Sequence, residues 1–193
     1  KEDNTPHLFN VNGTEMEVYF SPSDQTTSKI LKFIEDVNYT LEFGLLGFTR
    51  DDLGNAVINK DNEFGVNVRG IIEQQNVTGS EYDNLINNGV NIQTHMGIPN
   101  QFHHKYAIAD VGVSASNPSV LTGSHNWSTN AESNSDENTI IIHDHTIANI
   151  YLQEFEERWN ELATSVNELS DVKIEVFPNP SIGKINIISE RVI

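Results

Sequence analysis

The sequence predicts an α/β protein with a mixed central β-sheet flanked by helices. Three observations favour this fold class. Segments with strand periodicity alternate with segments of helical periodicity through the first half of the chain. The segment 41–48 is apolar almost throughout, which is typical of a strand buried on both faces of a sheet. In the second half, three closely spaced strand-like segments precede a long amphipathic helix.

The first half contains four predicted strands and three predicted helices after a polar lead-in. Met16, Val18 and Phe20 alternate with polar residues, as on one face of a strand. Ile30 and Ile34 lie four residues apart within an amphipathic helical pattern. The predicted strands span 15–20, 41–48, 67–72 and 90–94, and the predicted helices span 25–37, 51–62 and 82–88.

The second half has a simpler pattern. Strands are predicted over 103–110, 119–124 and 138–143. The clearest helix of the chain is predicted over 147–162, where large apolar residues share one side and glutamates occupy the other. After a break in composition at 164–171, two alternating segments at 173–177 and 184–188 flank a Pro- and Gly-rich turn, which predicts a strand pair.

Composition excludes several classes of protein. The 193 residues contain no cysteine, so disulfides, thiolate chemistry and Cys-ligated metal centres are excluded. No apolar run reaches the roughly 20 residues of a membrane span, so we expect a soluble chain. The formal net charge of −17 argues by itself against a polyanionic substrate, unless a local basic group overcomes the surrounding field.

The most informative segment is His103 to Asp110, with the sequence HHKYAIAD. On a strand, His103 and Lys105 project to the same side, whereas His104 points to the other. A lysine neutralises phosphoryl oxygens, and a histidine beside it acts as nucleophile or general base. Asp110 is out of phase with this pair, so we assign it a structural or supporting role.

A second segment, Gly123 to Trp127, reads GSHNW. Ser124 and Asn126 are two residues apart, so a hydroxyl and an amide can face the same anion. Gly123 has no side chain, so the backbone there can approach this anion closely. His125 occupies the position between them, and we expect no essential role for it.

Together, the pattern His-x-Lys-(four)-Asp followed by Gly-Ser-x-Asn resembles the phospholipase D superfamily, also called the HKD family. The run from Gly123 to Asn138, with an aromatic residue after Asn126 and a Glu-Asn at its end, looks like the nuclease branch of that family. The resemblance covers roughly residues 15–162 and implies the layered fold of the family.

The resemblance also implies a metal-independent phosphodiesterase with no cofactor. In this family one histidine attacks phosphorus to form a phosphohistidine, and a second histidine protonates the leaving oxygen. By position, His103 is nucleophile or acid, Lys105 and Asn126 hold the phosphate oxygens, and Ser124 assists. Glu137 matches the acidic residue that orients the imidazole.

The chain has one such motif, whereas the implied mechanism needs two histidines. Short members of the family form homodimers that bring two motifs into one site, and a two-fold dimer would suffice here. The alternative is a second motif upstream of Lys1. The sequence leaves this choice open.

The segment 174–187, IEVFPNPSIGKINI, resembles the opening of a type A C-terminal sorting domain of the type IX (Por) secretion system. It implies export to the cell surface or medium, with the type IX machinery as partner. The predicted organisation is a lead-in at 1–14, a phospholipase D-like catalytic domain at 15–165, a linker at 166–171 and a partial sorting domain at 172–193.

Three functions remain open. A secreted endonuclease is favoured by the stretch that ends at Asn138. A lipid phosphodiesterase is the second, although Phe102 is the only apolar candidate for a membrane-contacting loop. The third is an inactive module that binds phosphate esters. The sequence His143-Asp144-His145 more simply ends a strand and caps a helix than binds a metal.

Overall fold

The computed structural model describes residues 5–113, 116–165, 172–177 and 186–191, with side chains as far as residue 162. The chain forms two compact units, Lys1–Trp159 and Asn160–Ile193. The first unit contains an eight-stranded mixed sheet with helices, which confirms the predicted α/β class. Within the described residues, no helix is long and apolar enough to cross a membrane.

The elements follow the predicted order. The strands of the large sheet are β1 (Leu8–Val11), β2 (Thr14–Ser21), β3 (Thr40–Leu45), β4 (Asn67–Ile72), β5 (Asn91–Thr94), β6 (Lys105–Ala109), β7 (Ser119–Gly123) and β8 (Glu137–His143). The helices are α1 (Thr26–Glu35), α2 (Asp51–Asp61), α3 (Tyr82–Asn87), α4 (Thr129–Ser133) and α5 (His145–Ser165). In the second unit, β9 (Val172–Phe177) pairs antiparallel with β10 (Asn186–Arg191), as predicted, and the predicted turn between them lies outside the described residues.

The strand order in the large sheet is β1-β2-β8-β7-β6-β3-β4-β5. The strands β3, β4 and β5 are parallel, and α2 and α3 supply the crossovers that parallel neighbours require. All other neighbours are antiparallel. The parallel pairs therefore follow from the helical crossovers in the first half, whereas β6, β7 and β8 pair in antiparallel sequence order.

These directions bring seven strand ends to one edge of the sheet, which we call the site edge. Five strands end there, namely β2, β3, β4, β5 and β7, and two strands begin there, namely β6 and β8. The residues at these ends are Ser21, Leu45, Ile72, Thr94, Lys105, Gly123 and Glu137. Both sequence motifs therefore lie at the same edge.

The core is organised around three aromatic rings. The fully buried Trp127 ring stacks on Phe43, with ring centroids 5.7 Å apart, and meets Phe48 edge-on at 4.9 Å. Large aromatic side chains contribute much of the burial energy of a core. Because Trp127 is the last residue of the second motif, the core fixes that motif to the end of β3.

Two elements were not predicted. β1 lies inside the predicted lead-in and pairs with β2 through a two-residue hairpin at Asn12 and Gly13, which have φ of 53° and 96°. An Asn-Gly pair with two positive φ angles is a strong hairpin signal, but all four side chains of β1 are exposed, so no apolar alternation marks the strand. The helix α4 is five residues long, too short for a periodic pattern. The strand predicted from His103 begins at Lys105 instead.

Candidate active site

His103 and Lys105 lie side by side at the site edge. The Lys105 ammonium donates a hydrogen bond to the His103 backbone oxygen at 2.8 Å, and Nζ lies 3.2 Å from His103 Nδ1. Lys105 is only 7% exposed, whereas His103 is exposed. The pair thus presents an accessible imidazole beside an ammonium that has little freedom to move.

The neighbouring residues face the opposite side of the sheet, as their alternation predicts. The His104 ring lies 5.4 Å from the Tyr106 ring, and the Tyr106 hydroxyl donates to Glu154 Oε2 at 2.9 Å. Glu154 Oε1 lies 3.6 Å from His104 Nε2. His104 therefore packs toward α5, away from His103.

The turn that carries Ser124 is pinned to β8 by backbone contacts. The Ser124 N–H donates to the Asn138 carbonyl at 3.0 Å, and the Asn138 N–H donates to Ser124 Oγ at 3.1 Å. Gly123 has φ of +154°, and a Cβ there would lie 2.1 Å from the Asn138 oxygen. Only glycine allows this approach. The Ser124 hydroxyl is left with its own hydrogen to donate.

Asn126 is held against the end of β3. The next residue, Trp127, donates its N–H to the Gly47 carbonyl at 3.1 Å and accepts the Thr49 N–H at 2.8 Å. Asn126 Oδ1 is buried and has no hydrogen-bond partner in the described part of the chain. Asn126 as a whole is half-buried, and its NH₂ group is the hydrogen-bond donor that it can offer to a phosphate oxygen.

Electrostatic contacts at the edge centre on Lys105 and Glu137. Burial lowers the pKa of the Lys105 ammonium below its ordinary value, and the negative charge of Glu137 opposes that shift. Glu137 is the first residue of β8 and lies opposite Ser21 in the sheet. No hydrogen bond joins Glu137 to His103 within the described residues, so the orienting role that we predicted for Glu137 stays a prediction.

His125 points away from the site into the protein. It is 3% exposed, and its Nε2 lies 3.4 Å from Glu132 Oε2. The same carboxylate oxygen accepts the Thr27 N–H at 2.8 Å and the Thr27 hydroxyl at 2.7 Å. Burial lowers the pKa of His125, whereas the nearby Glu132 and Glu137 charges oppose the shift. Its ring cannot reach a substrate.

Asp110 lies at the far end of β6 from the site edge. Its Oδ1 accepts the backbone N–H groups of Asn38, Tyr39 and Thr40 at 3.1, 2.8 and 3.1 Å. Asp110 itself has a left-handed backbone with φ of 60°. The carboxylate thus ties the start of β3 to the end of β6.

Phe102 does not supply a membrane-contacting loop. It is 3% exposed, and its ring meets the rings of His95 at 5.3 Å and His104 at 4.8 Å. A Cβ on Gly44 would lie 2.8 Å from the Phe102 ring. The sequence suggested Phe102 as an apolar loop residue, but the side chain fills the space above this glycine.

No group of three or more His, Cys, Asp or Glu side chains suited to a metal ion occurs in the described ranges. His143 Nε2 instead lies 2.9 Å from Glu17 Oε1, and the Asp144 carboxylate accepts the Ile147 N–H at 2.9 Å. The segment thus ends a strand and caps a helix, as predicted.

Sequence reasoning did not identify Gln74, whose side chain borders the same space beside Gly47 as the side chain of Asn126. Gln74 follows β4 by two residues, and its N–H donates to the Leu46 carbonyl at 3.0 Å. A Cβ on Gly47 would meet both Gln74 Oε1 and Asn126 Oδ1. The position of Gln74 after a parallel strand of the predicted sheet was the available signal, because polar residues at such strand ends meet at one edge.

Comparison with known proteins gives a consistent family. The sequence profile described as cardiolipin synthase, PLD-like domain, matches residues 30–159. The chain is 32% identical over 141 residues to the mitochondrial cardiolipin hydrolase of Mus musculus, covering 72% of this chain and 60% of that protein. It is 31% identical over 140 residues to that of Homo sapiens, covering 72% and 52%. The chain therefore spans 52–60% of the length of these relatives.

Solved structures show the same fold. The phospholipase D family member Nuc from Salmonella typhimurium superposes with a TM-score of 0.64 at 26% identity, covering 76% of this chain and 95% of that one. NucT from Helicobacter pylori superposes with a TM-score of 0.64 at 18% identity, covering 76% and 96%. The similarity extends over nearly the whole of both of those chains.

Proposed function

The chain belongs to the phospholipase D superfamily, and from that membership we propose that it is a metal-independent phosphodiesterase that cleaves nucleic acid. One observation carries the proposal. His103, Lys105, Ser124 and Asn126 lie at a single sheet edge, with the imidazole exposed and the ammonium fixed beside it.

In the proposed reaction, His103 attacks phosphorus, and an N–P bond forms as the bond to the leaving oxygen breaks. A second imidazole gives its proton to that oxygen. Lys105 and the amide of Asn126 stabilise the charge on the remaining phosphoryl oxygens, and Ser124 adds a hydroxyl donor. Water, deprotonated by the second imidazole, then breaks the N–P bond and regenerates His103.

The second imidazole comes, in this proposal, from a second copy of the chain. The other six histidines of the chain do not present an accessible imidazole beside His103. His95 and His125 are buried, and His104 packs on the opposite face. His143 and His145 lie at the far end of β8. His7 packs against Tyr19 of β2, with ring centroids 5.0 Å apart, and β8 and β7 separate that strand from β6. A two-fold dimer would bring two copies of His103 together.

The decisive experiment compares the wild type with His103→Ala on single- and double-stranded DNA, RNA and an aryl phosphodiester, all in EDTA. We expect cleavage in EDTA and a loss of at least about 1000-fold in the variant. Activity that disappears with EDTA would contradict the metal-free mechanism. Activity that survives the substitution would contradict the role of His103, and a wild type that binds but never cleaves would favour the inactive module.

Hybrid dimers test the shared site. A dimer of one wild-type and one His103→Ala chain, purified through two different tags, has a single intact His103. With a shared site, we expect the hybrid to lose nearly all activity, because each reaction needs both imidazoles. A hybrid with about half the wild-type activity would show two independent sites.

A lipid phosphodiesterase is the second candidate, and two exposed residues near the site edge favour it. Val77 is 39% exposed and Met96 is 46% exposed, and both belong to loops that follow strands ending at this edge. Similar relatives are named for cardiolipin hydrolysis. Met96→Ser would then reduce cleavage of cardiolipin vesicles while leaving cleavage of an oligonucleotide unchanged; equal effects on both would argue against a lipid-contacting role.

Export through the type IX system is a further part of the proposal, and it rests on the sequence at 174–187. In a bacterium with this machinery, we expect deletion of residues 172–193 to retain the protein inside the cell. An unchanged distribution between cells and medium would refute the sorting role.

A further inference from the structure

The orientation of the Asn126 amide matters for the proposed reaction. Phosphate oxygens accept hydrogen bonds, so Asn126 is useful only if its NH₂ group, and not its oxygen, faces the substrate. In the structure, Asn126 Oδ1 is buried, and it has no hydrogen-bond partner among the described residues. A buried acceptor without a donor is costly, so this orientation needs support from a neighbouring group.

Gln74 carries a side-chain amide that borders the same space as this oxygen. A Cβ placed on Gly47 would lie 3.1 Å from Gln74 Oε1 and 3.6 Å from Asn126 Oδ1, so both amides border the space that glycine leaves open. The Gln74 backbone is fixed, because its N–H donates to Leu46 and its carbonyl accepts the Ser80 hydroxyl at 3.1 Å. A half-turn of the terminal amide exchanges the oxygen and nitrogen of Gln74 and directs an N–H toward Asn126.

We propose that Gln74 is a positioning residue, whose amide donates to Asn126 Oδ1 and thereby holds the Asn126 NH₂ group toward the phosphate. This inference rests on the proposed function, since it explains how Asn126 is prepared to bind a phosphoryl oxygen. Gln74 does not touch the reacting atoms. Gly47 is part of the arrangement because it leaves room for the two amides to meet.

The adjacent Gln75 provides a matched control. It has the same side chain, but its Nε2 faces Met96 Sδ at 3.8 Å. Gln74→Met keeps the approximate volume and removes the donor, and Gln75→Met makes the same change one residue away. For an aryl phosphodiester we expect Gln74→Met to lower kcat by about tenfold and to raise the inhibition constant of inorganic phosphate similarly. Gln75→Met should stay within about twofold of the wild type. Equal effects of the two substitutions would overturn the proposal.

Gln74→Glu tests the direction of the hydrogen bond. A carboxylate cannot donate, and it attracts the Asn126 NH₂ group away from the phosphate. Gln75→Glu adds the same charge nearby and separates this effect from simple repulsion of the substrate. The proposal requires a clearly larger loss of phosphate binding for Gln74→Glu than for Gln75→Glu, and similar losses would refute it.

A measurement without turnover separates this inference from the proposed function. The side-chain NH₂ signal of Asn126, identified in a ¹⁵N NMR spectrum by its loss in Asn126→Asp, should shift in free Gln74→Met and stay unchanged in free Gln75→Met. Gly47→Ala provides a second route, because its methyl group would push the two amides apart on a backbone that alanine tolerates. If the Asn126 signal shifts neither in Gln74→Met nor in Gly47→Ala, the inference is overturned. A wild type that cleaves no substrate would overturn the proposed function alone.

Discussion

At the scale of single residues, Lys105 illustrates how function and stability oppose each other. Its ammonium is nearly buried, and burial lowers its pKa, which means that the charged form is disfavoured there. The His103 carbonyl and the charge of Glu137 compensate in part. The compensation keeps a cation at the site edge, where the proposed reaction needs one.

The environment of His125 predicts a pH-dependent stability. Its pKa is lowered mainly by burial, so the folded state binds its proton less readily than the unfolded state, whose histidine pKa is about 6.5. The neutral ring contributes its full stability above that value, and the contribution is lost as the pH falls through the lowered pKa. We therefore expect the urea midpoint of the wild type to fall between about pH 7.5 and 5.5 more steeply than that of His125→Leu.

The slope is the informative quantity in this comparison. One proton changes the unfolding free energy by at most about 1.4 kcal/mol per pH unit, so a larger difference between the two proteins would require additional groups. His104, whose pKa burial also lowers, titrates in both proteins and cancels in the difference. Parallel pH profiles would show that His125 titrates alike in the folded and unfolded chains.

At the scale of elements, Arg69 connects β4 to α5. Its guanidinium donates hydrogen bonds to Glu42 Oε1 at 3.1 Å and to Glu156 Oε1 at 2.6 Å. It also lies 5.2 Å from the centre of the Phe155 ring. Glu42 is 4% exposed, and burial raises its pKa. Two carboxylates and an aromatic face therefore converge on one planar cation, a geometry that suits arginine.

Removal of this cation should be costly. We expect Arg69→Met to lower the free energy of unfolding by about 3–5 kcal/mol, because Glu42 is left buried without its partner. The double variant with Glu42→Leu should recover most of the loss, since an apolar pair replaces an isolated charge. Denaturant unfolding of the two single variants and the double variant gives the coupling energy, and additive losses would contradict the pairing.

Prediction of helices and strands from the sequence succeeded where buried positions give the apolar residues a regular spacing. In helix α2 the buried residues recur at helical spacing, and in strand β4 four of the six residues are buried. The bounds of both elements were predicted to within one residue. The strand β1 has no buried side chain, and it forms because a hairpin places it beside β2. Strand β6 begins at Lys105 because its pairing with β3 begins there, where Lys105 lies opposite Leu45. Sequence periodicity does not reveal where such pairing begins.

At the scale of the whole molecule, acidity is the dominant feature. Five of the cationic side chains in the described ranges have a carboxylate within 4 Å, and they are Lys32, Lys60, Arg50, Arg69 and Arg158. Lys105 has no such ion pair among the contacts described, and it faces the site edge. A dimer would carry twice −17, or −34, so long-range attraction to a nucleic acid is not expected.

For the proposed cleavage of nucleic acid, this charge should reverse the salt dependence that is usual for proteins that bind nucleic acid. For an oligonucleotide, we expect kcat/KM to rise as NaCl increases from about 20 to 200 mM, because screening reduces repulsion between two polyanions. The aryl phosphodiester, with a single charge, serves as the control and should respond less. A decline for the oligonucleotide would reveal a basic surface that overrides the net charge.

The sequence by itself determined the fold class, the family resemblance and the identity of the candidate site residues, because these depend on periodicity and on short fixed spacings. It predicted that His103 and Lys105 share a side, and the 3.2 Å between Nζ and Nδ1 agrees. Their roles and that of Glu137 remain predictions.

Tertiary structure alone decided which distant residues border the site. Gln74 and Asn126 are 52 positions apart in the sequence, and their side chains border the same space beside Gly47 because β4 and β7 both end at the site edge. The same packing turned His125 inward toward Glu132 and buried Phe102 above Gly44. Such contacts depend on strand order and on the volume left by small residues, and neither quantity is encoded in local sequence spacing.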